Sequence, residues 1–222
     1  ILRSPLSEFA KRVENNVKGL LKEEQLSQPI VTGFGDAQQL PIPNNSVDLI
    51  VTSPPYASNA IDYMRAHKFS LVWLGYPIES LSSKRSEYIG GETLAGFPLE
   101  PLPDYTRGVV ADISKLDQKK GQVLHRYYSE MTRVLREMQR VLKPGGAAIL
   151  VVGSSALRGR DTETQNCLVE IGRALGLINS GVGVRNLDRD RRMLPAGTNI
   201  NPYSQIQQRM HQEYVIAFLK PL

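Results

Sequence analysis

The sequence predicts an α/β protein in which a mostly parallel sheet carries helices on both faces. Compact apolar runs, typical of buried strands, alternate with segments whose apolar residues recur every three or four positions, as in amphipathic helices. The strongest strand signals are Val47–Thr52 and Ala147–Val152, and the clearest helix signal is Val123–Leu142. Strands that alternate with helices in this way indicate βαβ units.

Weaker patterns add four further elements. Pro5–Leu21 predicts an amphipathic helix with Ser4 as its N-cap, because Pro is favoured at the first helical position. The remaining predictions are a short strand at Ile30–Phe34 that turns at Gly35-Asp36, a helix at Asn166–Leu175 and a last strand at Tyr214–Leu219.

Residues 57–121 are predicted to be a loop-rich insertion. Glycines and prolines punctuate much of this stretch, although residues 61–74 have some helical character. Long loops inside a compact domain are usually functional or mobile. We therefore interpret residues 1–222 as one domain with an insertion at about 57–121.

Composition excludes several classes of protein. The 222 residues include 41% hydrophobic and 22% charged residues, as in an ordinary globular domain. No apolar run approaches the roughly 20 residues that span a bilayer, and no secretory leader is recognisable. Cys167 is the only cysteine, so we expect neither a disulfide nor a metal cluster, and a reducing cytoplasm as the location. The net charge of +5 permits a polyanionic partner without demanding one.

Thr52-Ser53-Pro54-Pro55-Tyr56 is the motif that carries chemistry. It follows a buried strand, and ligands of parallel sheets bind beyond the carboxyl ends of the strands. Two prolines stiffen the loop and remove two N–H donors, which leaves carbonyls as acceptors. The Ser53 hydroxyl and the Pro54 carbonyl can each accept one N–H of an exocyclic amino group, and Tyr56 offers a ring on which an extruded base can stack.

These residues resemble the amino-methylating DNA methyltransferases. The resemblance rests on Gly35–Pro41 and Asn45–Tyr56, which are similar to the core of that family with its (Asp/Asn/Ser)-Pro-Pro-(Tyr/Phe) loop. Leu142–Gly146 is similar to the turn into a central strand of the same fold, and Glu213–Phe218 to its late hairpin strand. The four-residue loop is specific, whereas the Lys-Pro-Gly-Gly turn is common to many methyltransferases.

The resemblance implies a Rossmann-like, S-adenosylmethionine-dependent methyltransferase fold and double-stranded DNA as substrate. It implies direct methyl transfer to a flipped base, without a covalent enzyme intermediate. The catalytic residues implied are Ser53, Pro54, Pro55 and Tyr56. Asp36 matches an acidic residue that binds the adenine amino group of the cofactor, with Ala37 beside it, and Ser53 also borders the cofactor.

The family's Gly-rich loop, which holds the methionine end of the cofactor, is not recognisable in this sequence. In one family arrangement that loop immediately precedes a segment like Ser4-Pro5, so we assign Ser4 and Pro5 to the cofactor site. We expect the first strand and the Gly-rich loop to lie upstream, in a second subunit or, in a permuted arrangement, after Leu222. The chain alone is expected to bind the cofactor weakly.

The target base is predicted from Ser53. Within the family, Ser before Pro-Pro is commonest among cytosine-N4 enzymes, whereas Asp or Asn dominates among adenine-N6 enzymes. Cytosine N4 is therefore the predicted target and adenine N6 the alternative. The same loop is also compatible with methylation of guanine N2 in RNA or of a glutamine amide, and the chain as a whole with a non-catalytic half of a split methyltransferase.

A cluster of basic residues is a candidate for contacts with DNA phosphates. A solvated, charged loop is an equally good interpretation of the same residues. The cluster consists of Arg185, Arg189, Arg191 and Arg192.

Overall fold

The computed structural model describes residues 4–20, 31–57, 69–79, 88–91, 94, 96–153, 155–187 and 212–222. The chain divides into two compact units, Ile1–Phe34 and Gly35–Leu222.

The first unit contains one described helix, α1, at Pro5–Leu20. Its sequence is amphipathic, with an acidic Glu8 in the first turn and a basic Lys18 in the last, which both suit the helix dipole. The Ser4 carbonyl accepts the Glu8 N–H at 3.1 Å, as the carbonyl of an N-cap residue does. The predicted helix is therefore confirmed, with its start at Pro5.

The second unit is built on a four-stranded sheet with two additional short strands. The order across the sheet is β1-β2-β6-β5, and β3 pairs only with β4. The strands are β1 (Val47–Thr52), β2 (Leu142–Gly153), β3 (Ala156–Leu157), β4 (Arg160–Asp161), β5 (Ile178–Asn186) and β6 (Gln212–Leu219). β1 and β2 are parallel, whereas β6 runs antiparallel to both β2 and β5. In the described sheet, three of four strands thus point the same way, and the reversed β6 lies between β2 and β5.

The named helices of this unit are α2 (Asp104–Leu116), α3 (Gln118–Val141) and α4 (Thr164–Ala174), and residues 69–73 are helical as well. The Asp117 side chain caps α3 by accepting the Lys120 N–H at 3.0 Å. α2 has no side-chain cap of its own, but Glu170 of α4 accepts the N–H groups of Tyr105 and Thr106 at 2.9 and 2.8 Å. A carboxylate from a neighbouring helix therefore satisfies the first turn of α2.

The core lies between one face of the sheet and these helices. Ala148, Leu150 and Val152 of β2 are fully buried, and Leu150 is opposite the buried Ile216 of β6. The predicted α/β layering is confirmed. On the opposite face, Leu49 and Val51 are 57% and 67% exposed, so the second helical layer stays a prediction.

A glycine in the Lys-Pro-Gly-Gly turn has a conformational role. α3 ends at Val141 and β2 begins at Leu142, and within the first residues of β2 Gly145 has φ of +79°. Gly145 N donates to the Lys220 carbonyl at 2.9 Å, which joins the start of β2 to the end of the chain. The positive φ is one that L-residues other than glycine rarely adopt.

Two sequence predictions need correction, and one strand was not predicted. Residues 31–34 form no strand, since they have no sheet partner in the described chain. The loop-rich interpretation of residues 57–121 is wrong for its last part, because Asp104–Leu116 is helical. β5 was not predicted, because its glycines weaken the strand signal, and pairing with β6 determines it instead.

Candidate functional site

The site is built where β1 and β2 end side by side. Thr52, the last residue of β1, is paired in parallel register with Leu150 of β2. The loop that begins at Ser53 therefore leaves the sheet next to the carboxyl end of β2. Such an edge is the usual binding position in α/β sheets.

Ser53 is exposed, and its hydroxyl is already oriented. Ser53 Oγ donates a hydrogen bond to the Val151 carbonyl of β2 at 3.1 Å. A serine hydroxyl has one proton and two lone pairs, so this bond uses the proton and leaves the lone pairs as acceptors. Ser53 can therefore accept an N–H from a ligand without giving up its contact with the sheet.

The two prolines that follow differ in burial and in hydrogen bonding. Pro54 is buried and Pro55 is half-buried. Neither has an N–H, so this stretch of backbone presents acceptors without competing donors. The Pro55 carbonyl accepts the hydroxyl of Tyr127 from α3 at 2.8 Å. The loop is thus joined to the sheet through Ser53 and to the helix layer through Pro55.

Tyr56 is half-buried and packs against the core, so it has both a fixed and an accessible side. The following Ala57 is 5% exposed and belongs to the core itself. A ring held in this way can present one face to a planar ligand, since every base has a π-face for stacking.

Tyr127, which anchors Pro55, is fully buried. Burial raises the pKa of the Tyr127 phenol well above its usual value, and the neighbouring Cys167 and Tyr56 side chains add to the rise. The phenol therefore keeps its proton and remains a donor throughout the physiological pH range.

The connection between β4 and α4 has its own buried anchor. Tyr128, the next residue of α3, donates its hydroxyl to the Thr162 carbonyl at 2.5 Å. The Thr162 hydroxyl in turn contacts the Ser155 carbonyl at 3.1 Å and Thr164 Oγ1 at 2.9 Å. Both anchors lie on the helix predicted at Val123–Leu142, but the sequence pattern did not predict either of them. The adjacent pair of tyrosines was the signal available.

Asp36 lies in a tight turn that is tied to α3. Its Oδ1 accepts the Gln38 N–H at 2.9 Å, and the backbone forms an isolated bridge to Gln39. Within the described residues, Oδ2 of this exposed carboxylate has no partner. Glu137 of α3 accepts the Leu40 N–H at 2.7 Å and so fixes the end of the turn. Asp36 is therefore available as an acceptor, with Ala37 exposed beside it.

The remaining predicted site residues are not brought together by the described structure. Ser4 and Pro5 belong to the first unit, and their role at the cofactor stays a prediction. Arg185 of β5 forms an ion pair with Glu213 of β6, its register partner, so part of its charge is already compensated. Arg189, Arg191 and Arg192 lie outside the described residues.

A separate pocket of about 450 Å³ lies between α2 and the β3–β4 hairpin. Three carboxylates, those of Asp112, Asp161 and Glu163, line it together with Arg160. This excess of negative charge makes the pocket unsuited to phosphate.

In the described part of the chain, no group of His, Cys, Asp and Glu side chains could hold a metal ion. None of the helices in that part has the length and apolar character needed to cross a lipid bilayer.

Sequence comparison links the chain to one curated methyltransferase. This chain is 24% identical to the type II methyltransferase M.MvaI of Kocuria varians over 121 residues, and the matched region covers 50% of this chain. The chain spans only 27% of the length of that relative. No protein-family model matches the chain.

Comparison with solved structures gives distant matches. TTHA0409 of Thermus thermophilus, provisionally assigned as a DNA modification methylase, is 21% identical, with a TM-score of 0.41 over 85% of this chain and 51% of that protein. Its complex with S-adenosyl-L-methionine matches with a TM-score of 0.42. A 16S rRNA (adenine(1408)-N(1))-methyltransferase from Catenulisporales acidiphilia is 13% identical, with a TM-score of 0.27 over 89% of this chain and 98% of that protein.

Proposed function

We propose that this chain carries the catalytic loop of an S-adenosylmethionine-dependent DNA methyltransferase that acts on an exocyclic amino group, with cytosine N4 as the favoured target. The observation that carries the proposal is the geometry of Ser53. Its hydroxyl donates to Val151 at the carboxyl edge of the sheet, which leaves its lone pairs as acceptors for an N–H donor. The similarity to the type II methyltransferase M.MvaI supports the methyltransferase part of the proposal.

The loop would act by positioning the amino group. An exocyclic NH₂ conjugated to a ring has two donors and a delocalised lone pair. If Ser53 Oγ and the Pro54 carbonyl each accept one N–H, the nitrogen is drawn towards tetrahedral geometry and its lone pair is freed. The Tyr56 ring would hold the flipped base by stacking. Catalysis here rests on orientation and electrostatics, as expected for a reaction that needs no enzyme nucleophile.

The described residues fit one end of the implied cofactor. The unpartnered Oδ2 of Asp36 is suited to accept from the adenine amino group of S-adenosylmethionine. When bound, that cofactor supplies an electrophilic methyl group on a sulfonium. Ser53 and Pro54 would hold the amino nitrogen for that methyl group, so that a C–N bond would replace the C–S bond, and the methylated nitrogen would then release one proton to solvent. No step requires a general base, which agrees with a loop of acceptors that contains no histidine.

The base specificity is inferred from Ser53 alone. A serine at the first position of the loop favours cytosine N4, and adenine N6 remains the alternative because both amino groups offer two donors. Double-stranded DNA is the proposed substrate. The share of phosphate contacts contributed by Arg185 is proposed to be small, since Glu213 already pairs with it.

The proposal is tested by methyl transfer. The protein that contains this chain is incubated with S-adenosylmethionine carrying a labelled methyl group and with DNA, and the modified base is identified by mass spectrometry. We expect N4-methylcytosine. N6-methyladenine would establish the alternative target, while label in RNA or protein, or no transfer by the full-length protein, would contradict the assignment to DNA.

A further inference from the structure

We propose that Tyr127 is a positioning residue that fixes the catalytic loop through the Pro55 carbonyl. The inference depends on the proposed function, because the loop needs a fixed geometry only if it orients a substrate. The Tyr127 hydroxyl donates to Pro55 at 2.8 Å, from a helix of 24 residues whose inner face is part of the core. A rigid element therefore determines where the loop lies.

The reason for such an anchor lies in the two prolines. Loops are usually fixed through backbone N–H donors as well as carbonyl acceptors, but Pro54 and Pro55 have no N–H. An anchor at these residues must therefore use a carbonyl. The Pro54 carbonyl is proposed to accept from the substrate, which leaves the Pro55 carbonyl for the protein. Tyr127 supplies the donor at that carbonyl.

The hydroxyl of Tyr127 has a role beyond packing. The side chain is completely buried, and a phenylalanine would fill the same volume without a polar atom in the core. A buried hydroxyl is costly unless it forms a hydrogen bond, so its retention is explained by the bond to Pro55. The Tyr56 side chain packs against the core cluster to which Tyr127 belongs, so the residue after the anchored carbonyl is held by the same core.

The adjacent Tyr128 provides an internal control. It is equally buried, its ring packs edge-on against that of Tyr127 with the centroids 5.3 Å apart, and its hydroxyl also donates to a backbone carbonyl. That carbonyl belongs to Thr162, in the connection between β4 and α4. The two tyrosines thus have the same chemistry and burial, but each holds a different loop.

The first test compares Tyr127→Phe with Tyr128→Phe in steady-state methyl transfer. Both variants lose one buried hydroxyl, so we expect similar falls in melting temperature. We expect the kcat of Tyr127→Phe to be at least fivefold lower than that of Tyr128→Phe. The KM of Tyr127→Phe for DNA should change less than twofold. Equal kcat values in the two variants would overturn the positioning role.

The second test does not depend on activity. Hydrogen–deuterium exchange is measured on wild type and both variants, with peptides that contain the Tyr56 and Ala57 amides and peptides from residues 155–164. We expect Tyr127→Phe to accelerate exchange at least tenfold in the first set only, and Tyr128→Phe in the second set only. Loss of this crossed pattern would refute the anchor. If the two variants gave the crossed pattern but the wild-type protein transferred no methyl group, the proposed function would be refuted and the anchor would stand.

Discussion

The Ser53 hydroxyl donates to the Val151 carbonyl at 3.1 Å and so connects the ends of two neighbouring parallel strands. Val151 is the register partner of Val215 in β6 and lies one residue beyond the partner of Thr52. The oxygen of Ser53 is therefore held by the sheet, and a ligand bound to it would be positioned relative to the sheet.

Replacement of Ser53 by alanine should slow the reaction more than it weakens DNA binding. The lost acceptor matters most as the amino nitrogen becomes tetrahedral, so the effect appears in kcat. Loss of one hydrogen bond of about 0.5–1.5 kcal/mol predicts a fall of roughly 2- to 13-fold. Ser46→Ala is the matched control, because Ser46 also donates to a carbonyl, that of Pro43, just before β1. If the two variants had equal kcat, Ser53 would have no catalytic role.

Tyr56→Ala should weaken capture of the extruded base. Stacking of a base on an aromatic ring contributes about 1–3 kcal/mol, so methylation should fall by about one to two orders of magnitude. Tyr56→Phe keeps the ring and should retain most activity. Fluorescence of 2-aminopurine at the target position measures the extruded fraction directly. A normal turnover rate for the alanine variant would show that the loop is only a structural bend.

Asp36→Ala should weaken binding of S-adenosylmethionine by about 1.5–3 kcal/mol, the range for a hydrogen bond to a charged group. Asp48→Ala is the control, because that carboxylate is 80% exposed and pairs with Lys143 at 2.8 Å. Calorimetry on the full-length protein measures both affinities. Equal losses in the two variants would mean that Asp36 affects the cofactor through net charge rather than contact.

Glu100 should make the stability of the protein depend on pH in the acid range. The hydrogen bond from Arg136 lowers the pKa of Glu100, burial partly opposes this fall, and the hydrogen bond from Arg133 adds to it. Because the pKa is lower in the folded state, the stabilisation is present above the unfolded value near 4.5 and is lost as the pH falls through the folded value.

Urea unfolding of wild type and Glu100→Gln between about pH 3 and pH 7 tests this dependence. We expect a clear difference in unfolding free energy near neutrality that shrinks below the unfolded pKa. Asp104→Asn is the control, because Asp104 pairs with Arg107 but is 90% exposed, and such surface pairs contribute little. If the difference in unfolding free energy between wild type and Glu100→Gln stayed constant with pH, Glu100 would not contribute to the pH dependence of stability.

The sequence predicted the elements whose apolar pattern is strong. The strand at Val47–Thr52 was predicted with the bounds that the structure gives it. The helix predicted from Val123 begins instead at Gln118, because its first turn is polar and is determined by the Asp117 cap rather than by an apolar stripe. β5 escaped prediction because it owes its pairing to β6.

The candidate site was predicted in part for a related reason. The loop Ser53–Tyr56 has a local motif and could be recognised, together with the acceptor chemistry of its prolines. The anchor from Tyr127 could not, because it joins residues 72 positions apart and depends on how α3 lies across the sheet. The compensation of Arg185 by Glu213 was hidden for the same reason, since it requires the pairing of β5 with β6.

The contact between Gly172 and Phe218 gives a last prediction about the core. A Cβ added at Gly172 of α4 would lie 2.5 Å from Cε1 of the Phe218 ring, which is itself fully buried in β6. The ring cannot move freely in a close-packed interior, so Gly172→Ala should destabilise the protein by about 1–3 kcal/mol, the usual cost of overpacking. Gly108→Ala in α2 is the matched control, because a Cβ there would meet nothing within 4 Å. Its lower backbone entropy when unfolded predicts a gain of about 0.5–1 kcal/mol. Urea unfolding of both variants decides the matter, and a shift of the same sign in the two would contradict the close packing of α4 on β6.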